Sequence, residues 1–247
     1  MSASVIALDI DNGIAWITLR GIQTKNSLDE SSVVDMIAAC ERIDADPSVG
    51  VAVVTGEGNA FCSGAHTSVL AGLRGQPDDV VRAGLGRIYE AFTRVRELTV
   101  PTVAMINGAA VGAGVNLAMV CDIRIADRSA VIASGFARLG IHPGGGHMNL
   151  IARATSTSVA SAMGVFAQKI DGARAQEIGL VWAAVDADDL RATVTDMVQH
   201  LAKDPELARQ LVSTLRETAN AGVEWRNALD IERERQMWTF TRSQTGD

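Results

Sequence analysis

The chain has 247 residues, 47% of them hydrophobic, and carries a formal net charge of −7 with a sequence pI near 5.1. That length buries a large core in one domain, or in one domain with a small appendage. The acidic balance argues against nucleic acid and against an anionic membrane surface as partners, while leaving local basic contacts to a phosphorylated ligand open.

Residues 5–8 and 14–19 are apolar and β-prone, and Asp11-Asn12-Gly13 between them is a turn signal, so the chain should open with a hairpin. Lys25-Asn26-Ser27-Leu28 reads as a loop. Asp29 or Ser27 can cap a helix reaching about Ala45, with Val33, Ile37 and Cys40 or Ile43 on one face, and Asp46-Pro47 ends it. A buried strand is expected over 49–55, then a loop of small residues over 56–64. The glycines and proline of 67–79 suggest a mobile surface segment of the kind that forms lids. Helical pattern covers 80–98, and Pro101 opens the next strand. Further strands are expected over 121–126, 130–133 and 181–185, and helices over 148–154, 158–166 and 172–178, the last capped by Asp171 and stopped by Gly179. From Asp188 onward the pattern is helical, over 190–203, 205–221 and 223–240, with Pro205 at a helix start. Alternating strands and helices followed by a helical tail argue an α/β core with an α appendage. The cysteines Cys40, Cys62 and Cys121 are widely spaced and form no CxxC pair, which favours reduced thiols. With no apolar run of about 18 residues and no leader pattern, a cytoplasmic protein is expected.

The organising stretch is Asn107 to Asn116, NGAAVGAGVN. It joins an apolar strand-like run to an apolar helix-like run. Its glycines and alanines let the backbone approach another group closely. They also leave N–H groups at a helix start without intrahelical partners, and such a terminus can receive a developing negative charge. Tight helix packing is the plainer explanation for the same residues. The spacing is not a dinucleotide fingerprint, because Leu117 follows where a third glycine would be needed.

Five stretches then fall into a familiar order: Lys25-Asn26-Ser27-Leu28, Ala60-Phe61-Cys62-Ser63-Gly64-Ala65-His66, the block from Pro101 to Cys121-Asp122, the turn Leu139-Gly140-Ile141-His142-Pro143-Gly144-Gly145-Gly146, and Ala173 to Val185. Together they resemble the crotonase superfamily, the enoyl-CoA hydratase/isomerase family. The resemblance implies a spiral of ββα units over residues 1–187 and a helical C-terminal region over 188–247 that makes trimer contacts, in a homotrimer or homohexamer. It implies an acyl-CoA thioester as ligand, no further cofactor and no metal. Carried over by position, the backbone N–H groups of Ala65 and Ala113 would form an oxyanion hole. Lys25, Ser27, Leu28, Ser63, Gly64, His66, Gly112 and Phe136 would contact substrate.

Two departures matter. The family's hydratases use two glutamates to place and deprotonate water, and Asn116 and Phe136 stand in those places. Asparagine is no general base near neutral pH and phenylalanine offers no hydrogen bond, so the hydration mechanism does not transfer. Asn116 could still orient substrate or water. Isomerisation, thioester hydrolysis, decarboxylation and non-catalytic acyl-CoA binding remain as alternatives. The candidate proton carriers are His142, His147 and His66, since imidazole titrates near working pH; each could equally be a packing or capping residue. His142 and His147 have no evident third ligand for a metal. Cys62 with His66 is a remote possibility as a thiol–base pair. Arg138 reads as an exposed loop residue or an anion contact, Asp122 as structural, and Trp225 and Trp238 as buried at a core or subunit contact.

Overall fold

The computed structural model describes residues 5–219 and 222–242. The chain opens with strands β1 (Ile6–Asp11) and β2 (Ile14–Leu19), paired antiparallel. Asn12 (φ 48°) and Gly13 (φ 79°) form the two-residue connection, and left-handed backbone at both positions matches the twist of a hairpin. Helix α1 (Glu30–Ala45) starts from Asp29, whose carboxylate accepts from Ser32 N, while Ser32 Oγ accepts from Asp29 N. This reciprocal cap is worth about 1 kcal/mol. Of the face expected from the sequence, Val33, Cys40 and Ile43 are buried; Met36 joins them, while Ile37 is half-buried.

Three more ββ units follow, each supplying one strand to each of two sheets. They are β3 (Val51–Gly56) with β4 (Ala60–Cys62), β5 (Thr102–Ile106) with β6 (Ala109–Val111), and β7 (Ile123–Asp127) with β8 (Ile132–Ala133). The long sheet runs β1-β2-β3-β5-β7-β10, where β10 is Ala183–Val185, and is parallel from β2 onward. The short sheet runs β4-β6-β8-β9, where β9 is Lys169–Ile170. Strands β3 and β5 are buried along their whole length, as parallel strands covered on both faces must be, and so read as continuous apolar runs.

Helices α2 (Thr67–Leu73) and α3 (Asp78–Glu97) follow β4, α4 (Ala113–Val120) follows β6, and α5 (His147–Ala154) with α6 (Thr157–Gly164) follows β8. The main core joins one face of the long sheet to α1, α3, α4 and the short sheet. The opposite face is covered by α8 (Ala187–Lys203), after the short helix α7 (Gly172–Glu177). Leu190, Val194, Val198 and Ala202 lie four residues apart on α8 and bury against Ile14, Trp16, Val51, Val53 and Val103. The last helices are α9 (Pro205–Thr218) and α10 (Trp225–Thr241), which pack on each other.

Several expectations change. Residues 67–73 are helical rather than a mobile segment, because His66 caps α2 and Val69 and Leu70 turn inward; only 74–77 stay outside the helices. The loop expected over 56–64 contains β4. Its turn is held by two asparagines: Asn26 donates to Ala60 O at 2.7 Å, and Asn107 donates to Gly58 O at 2.9 Å. The helix expected over 205–221 ends at Thr218; residues 220 and 221 lie outside the described residues, as do 1–4 and 243–247 at the ends of the two expected regions. Trp225 is 75% exposed on this chain, and Trp238 is half-buried with the Arg242 guanidinium 4.6 Å from its ring centre, so neither tryptophan enters the core.

Candidate active site

Strands β4, β6 and β8 end side by side. Cys62 pairs with Ala110 and Val111 pairs with Ala133, so the residues just beyond each strand emerge at one edge of the short sheet. These are Gly64-Ala65, Gly112-Ala113 and Ser134. Neighbouring strands lie about 4.8 Å apart, which sets the scale on which the three segments meet. The carboxyl ends of parallel strands are where open α/β sheets place their ligands.

Two glycines allow the approach. Gly64 has φ 93°, and a Cβ there would lie 2.7 Å from Val111 O and 3.3 Å from Ala113 N. Gly112 has φ 55° and precedes α4 without a side-chain cap. Ala113 is therefore the first residue of α4, and its N–H has no intrahelical acceptor. Ala65 is turned by a parallel bridge: Leu28 N donates to Gly64 O and His66 N donates to Leu28 O, both at 2.8 Å. That pattern points the Ala65 N–H to the side away from Leu28. Neither N–H has an acceptor among the described residues.

Both alanines line a cavity of about 130 Å³. Its wall is largely apolar, with Val69, Leu85, Ile88, Phe136, Leu139 and Ile141; Tyr89, Asn116, Ser134 and His142 add polar groups, and among the described residues no aspartate or glutamate lines it.

Behind the wall runs a buried hydrogen-bond chain. Asn116 Nδ2 donates to Gly144 O at 2.9 Å and reaches Gly145 O at 3.4 Å, which turns Oδ1 the other way. Oδ1 lies 2.6 Å from His147 Nδ1, so Nδ1 carries the ring proton. Nε2 is then a lone pair, and Ser134 Oγ, 2.6 Å away, donates to it. All three side chains are sealed from solvent, with Asn116 at 1%, His147 at 2% and Ser134 at 1% exposure. Burial pushes the His147 pKa down to about 4, so the ring is neutral at pH 7. Phe136 packs edge-on to it at 5.0 Å.

The sequence-derived candidates divide accordingly. Ser63, Gly64, Ala65, Gly112, Ala113, Asn116, Phe136 and His142 line the cavity. His147 does not; its ring meets the cavity wall through Ser134, Asn116 and Phe136. His66 also lies off the wall: its Nδ1 accepts from Ser68 N at 3.2 Å as the cap of α2. Leu28 is fully buried and acts through its backbone, Ser27 lies beside the β1–β2 end of the molecule, and Lys25 is exposed with its carbonyl accepting from Ser63 N. Cys62 is fully buried, and desolvation pushes its thiol up to about 12, which excludes a thiolate paired with His66. Asp122 accepts from Thr102 and pairs with Arg216 at 2.8 Å, a structural role. Arg138 is exposed and donates to Ala167 O. Ser134 and Tyr89 carried no signal in the sequence; the register of β8 and the packing of α3 bring them in.

The sequence model of the enoyl-CoA hydratase/isomerase family matches residues 9–246. A Mycobacterium tuberculosis protein named probable enoyl-CoA hydratase is 36% identical over 228 residues, covering 92% of this chain and 85% of its own. The 1,2-epoxyphenylacetyl-CoA isomerase of Escherichia coli is 26% identical over 228 residues, covering 92% of this chain and 87% of its own. A crystal structure of an enoyl-CoA hydratase from Bacillus anthracis superposes with a TM-score of 0.87 at 25% identity, over 97% of this chain and 92% of that one. The chain belongs to the enoyl-CoA hydratase/isomerase family of lyases and isomerases.

Proposed function

We propose that the protein binds an acyl-CoA thioester with the thioester oxygen between the N–H groups of Ala65 and Ala113, and that its reaction stabilises negative charge on that oxygen. The supporting observation is the pair of acceptor-free backbone donors converging on one apolar cavity. Each preorganised donor of this kind is worth on the order of 3 kcal/mol in a transition state. Among the described residues the same cavity wall carries no carboxylate, which supports a reaction other than two-carboxylate hydration of a 2-enoyl-CoA. Asn116 holds the wall and the His147 ring rather than a water. His142 is exposed at the cavity, and its Nδ1 donates to Pro143 O at 2.8 Å, leaving Nε2 able to accept a proton. The homotrimer or homohexamer reading comes from the family resemblance, and the apolar groups that α10 leaves exposed, Trp225, Met237 and Phe240, support a contact there.

Calorimetry with crotonyl-CoA and butyryl-CoA tests the binding, and the loss of enoyl absorbance from crotonyl-CoA tests the reaction. Binding of both with negligible hydration is expected. Hydration at rates near 10 s⁻¹, ordinary for enzymes, would overturn the exclusion, and absence of binding would overturn the thioester assignment.

A further inference from the structure

Ser134, His147 and Asn116 form one line of contacts, each 2.6 Å long, ending at the cavity that holds the two free backbone donors. A hydroxyl donating to an imidazole nitrogen, with that imidazole oriented by a third group through its other nitrogen, is the arrangement that activates a serine. We infer that Ser134 is a catalytic nucleophile, with His147 as its general base and Asn116 as a positioning residue, and that the protein hydrolyses short acyl-CoA thioesters through an acyl-serine. This inference rests on the thioester assignment above.

The fold brings Ser134 to the same strand edge as the donor Ala113. Continuing the β6–β8 register sets Ser134 beside Gly112, the residue before the donor Ala113. Gly112 N donates to Ala133 O at 3.0 Å, which fixes that juxtaposition. A carbonyl whose oxygen lies between Ala65 and Ala113 thus has Ser134 on the neighbouring strand end.

An asparagine in the orienting place of a serine triad fails when its amide N–H faces the ring and imposes the wrong tautomer. Here the Asn116 amide N–H group is committed to the Gly144 and Gly145 carbonyls, so only Oδ1 can face Nδ1. The tautomer with a lone pair at Nε2 is therefore the one held. No carboxylate balances the imidazolium formed in the reaction, so turnover should be slower than in a triad with an acid.

The steps balance without a co-reactant other than water. Ser134 Oγ bonds to the thioester carbonyl carbon while His147 Nε2 takes the hydroxyl proton. The carbonyl oxygen becomes an oxyanion facing the two N–H groups. Collapse breaks the C–S bond, and His147 returns the proton to the leaving sulfur, giving CoA thiol and an acyl-serine ester. A water then bonds to the ester carbon as His147 takes one of its protons. Collapse releases the carboxylic acid, and Ser134 Oγ recovers the proton.

Butyryl-CoA separates this chemistry from the other reactions of the family, because a saturated acyl group offers no double bond to hydrate or move. The test measures binding of butyryl-CoA by calorimetry, release of free CoA thiol, and the mass of the intact protein after rapid acid quench. Release of CoA with a mass gain of one butyryl group on the peptide containing Ser134 is expected. Ser134→Ala should keep binding and lose CoA release at least a hundredfold. Ser134→Cys, which keeps a nucleophile in place, should accumulate the adduct and serves if Ser134→Ala does not fold. Asn116→Ala should lower kcat by a larger factor than it raises KM, whereas a merely structural role would move stability and KM alone. Binding of butyryl-CoA with neither release nor adduct, or release that persists in Ser134→Ala, overturns the nucleophile and leaves the thioester assignment standing. Failure to bind butyryl-CoA overturns both.

Discussion

The two sheets of this protein do different work with the same alternation of strands and helices. The long sheet is six strands wide, buried along β3 and β5 and covered by apolar residues on both faces, including the Leu190, Val194 and Val198 ridge of α8. The buried hydroxyls of β3 and β5 are engaged, Thr55 with Met105 O and Thr102 with Asp122. The short sheet is built from strands of two or three residues whose ends open directly into glycines and helix starts. Its few pairings cannot stabilise it alone, so it is held by the long sheet to which every one of its first three strands is tethered. A region that contributes little to stability can spend its backbone N–H groups and buried polar side chains on chemistry. Stability and reactivity are separated here by strand length, not by domain.

That separation can be broken deliberately. The largest effect is expected from Leu190→Ala, which opens a cavity against the long sheet and should cost about 2–5 kcal/mol in denaturant unfolding. Butyryl-CoA affinity at low temperature should not change; a large loss of affinity would show that the α8 side is coupled to the site.

Next is the pH dependence of stability carried by His147. Its folded pKa of about 4 lies below the ordinary 6.5. Between these values the unfolded chain binds a proton that the folded chain refuses. Stability is therefore fully present above about pH 6.5 and falls as pH drops towards 4, by roughly 3 kcal/mol in total. Denaturant midpoints of the wild type at pH 7 and pH 4.5 should differ more than those of His147→Gln. Equal pH slopes in the two proteins would contradict the sealed, neutral ring.

Gly64→Ala should cost about 1–3 kcal/mol, since the methyl meets Val111 O at a positive φ. It should also weaken acyl-CoA binding, because β4 and α4 are pushed apart where Ala65 and Ala113 converge. The smallest change in stability belongs to His142→Gln, within about 0.5 kcal/mol for an exposed loop residue. A drop in turnover at unchanged melting temperature would mark His142 as a proton carrier; unchanged turnover would leave His147 as the one functional ring.

Much of the frame could be read in the residues because its signals are local. Asn12-Gly13 closes the hairpin, Asp29 and Asp171 cap their helices through side-chain bonds, and Gly179 ends the turn after α7. The ββα order follows from apolar runs and the breakers between them. The site was less legible. His142 and His147 are five residues apart and chemically alike, yet one is exposed at the cavity and the other is sealed behind it. Periodicity could not separate them, because the difference is made by Asn116 and Ser134, 31 and 13 residues distant. His66 misled for a local reason: its ring caps α2, a helix that its own glycine and the glycine just beyond it disguised as a loop. Tyr89 and Ser134 sit in ordinary helical and strand contexts, and only the packing of α3 and the end of β8 turn them towards the site.

The successive strand ends that frame the cavity come from parts of the chain far apart in sequence, from Gly64 to Ser134, with Asn116 between them and His147 beyond. Bringing them together requires the loops between them to close first. A partly folded molecule that has only its opening hairpin and α1 has no binding site at all. Acyl-CoA should consequently bind only after the later turns of the spiral have docked, so its capture during refolding would time the last assembly step. By mass action the same ligand would then hold the whole spiral closed, by about 2.7 kcal/mol at a hundredfold excess over Kd.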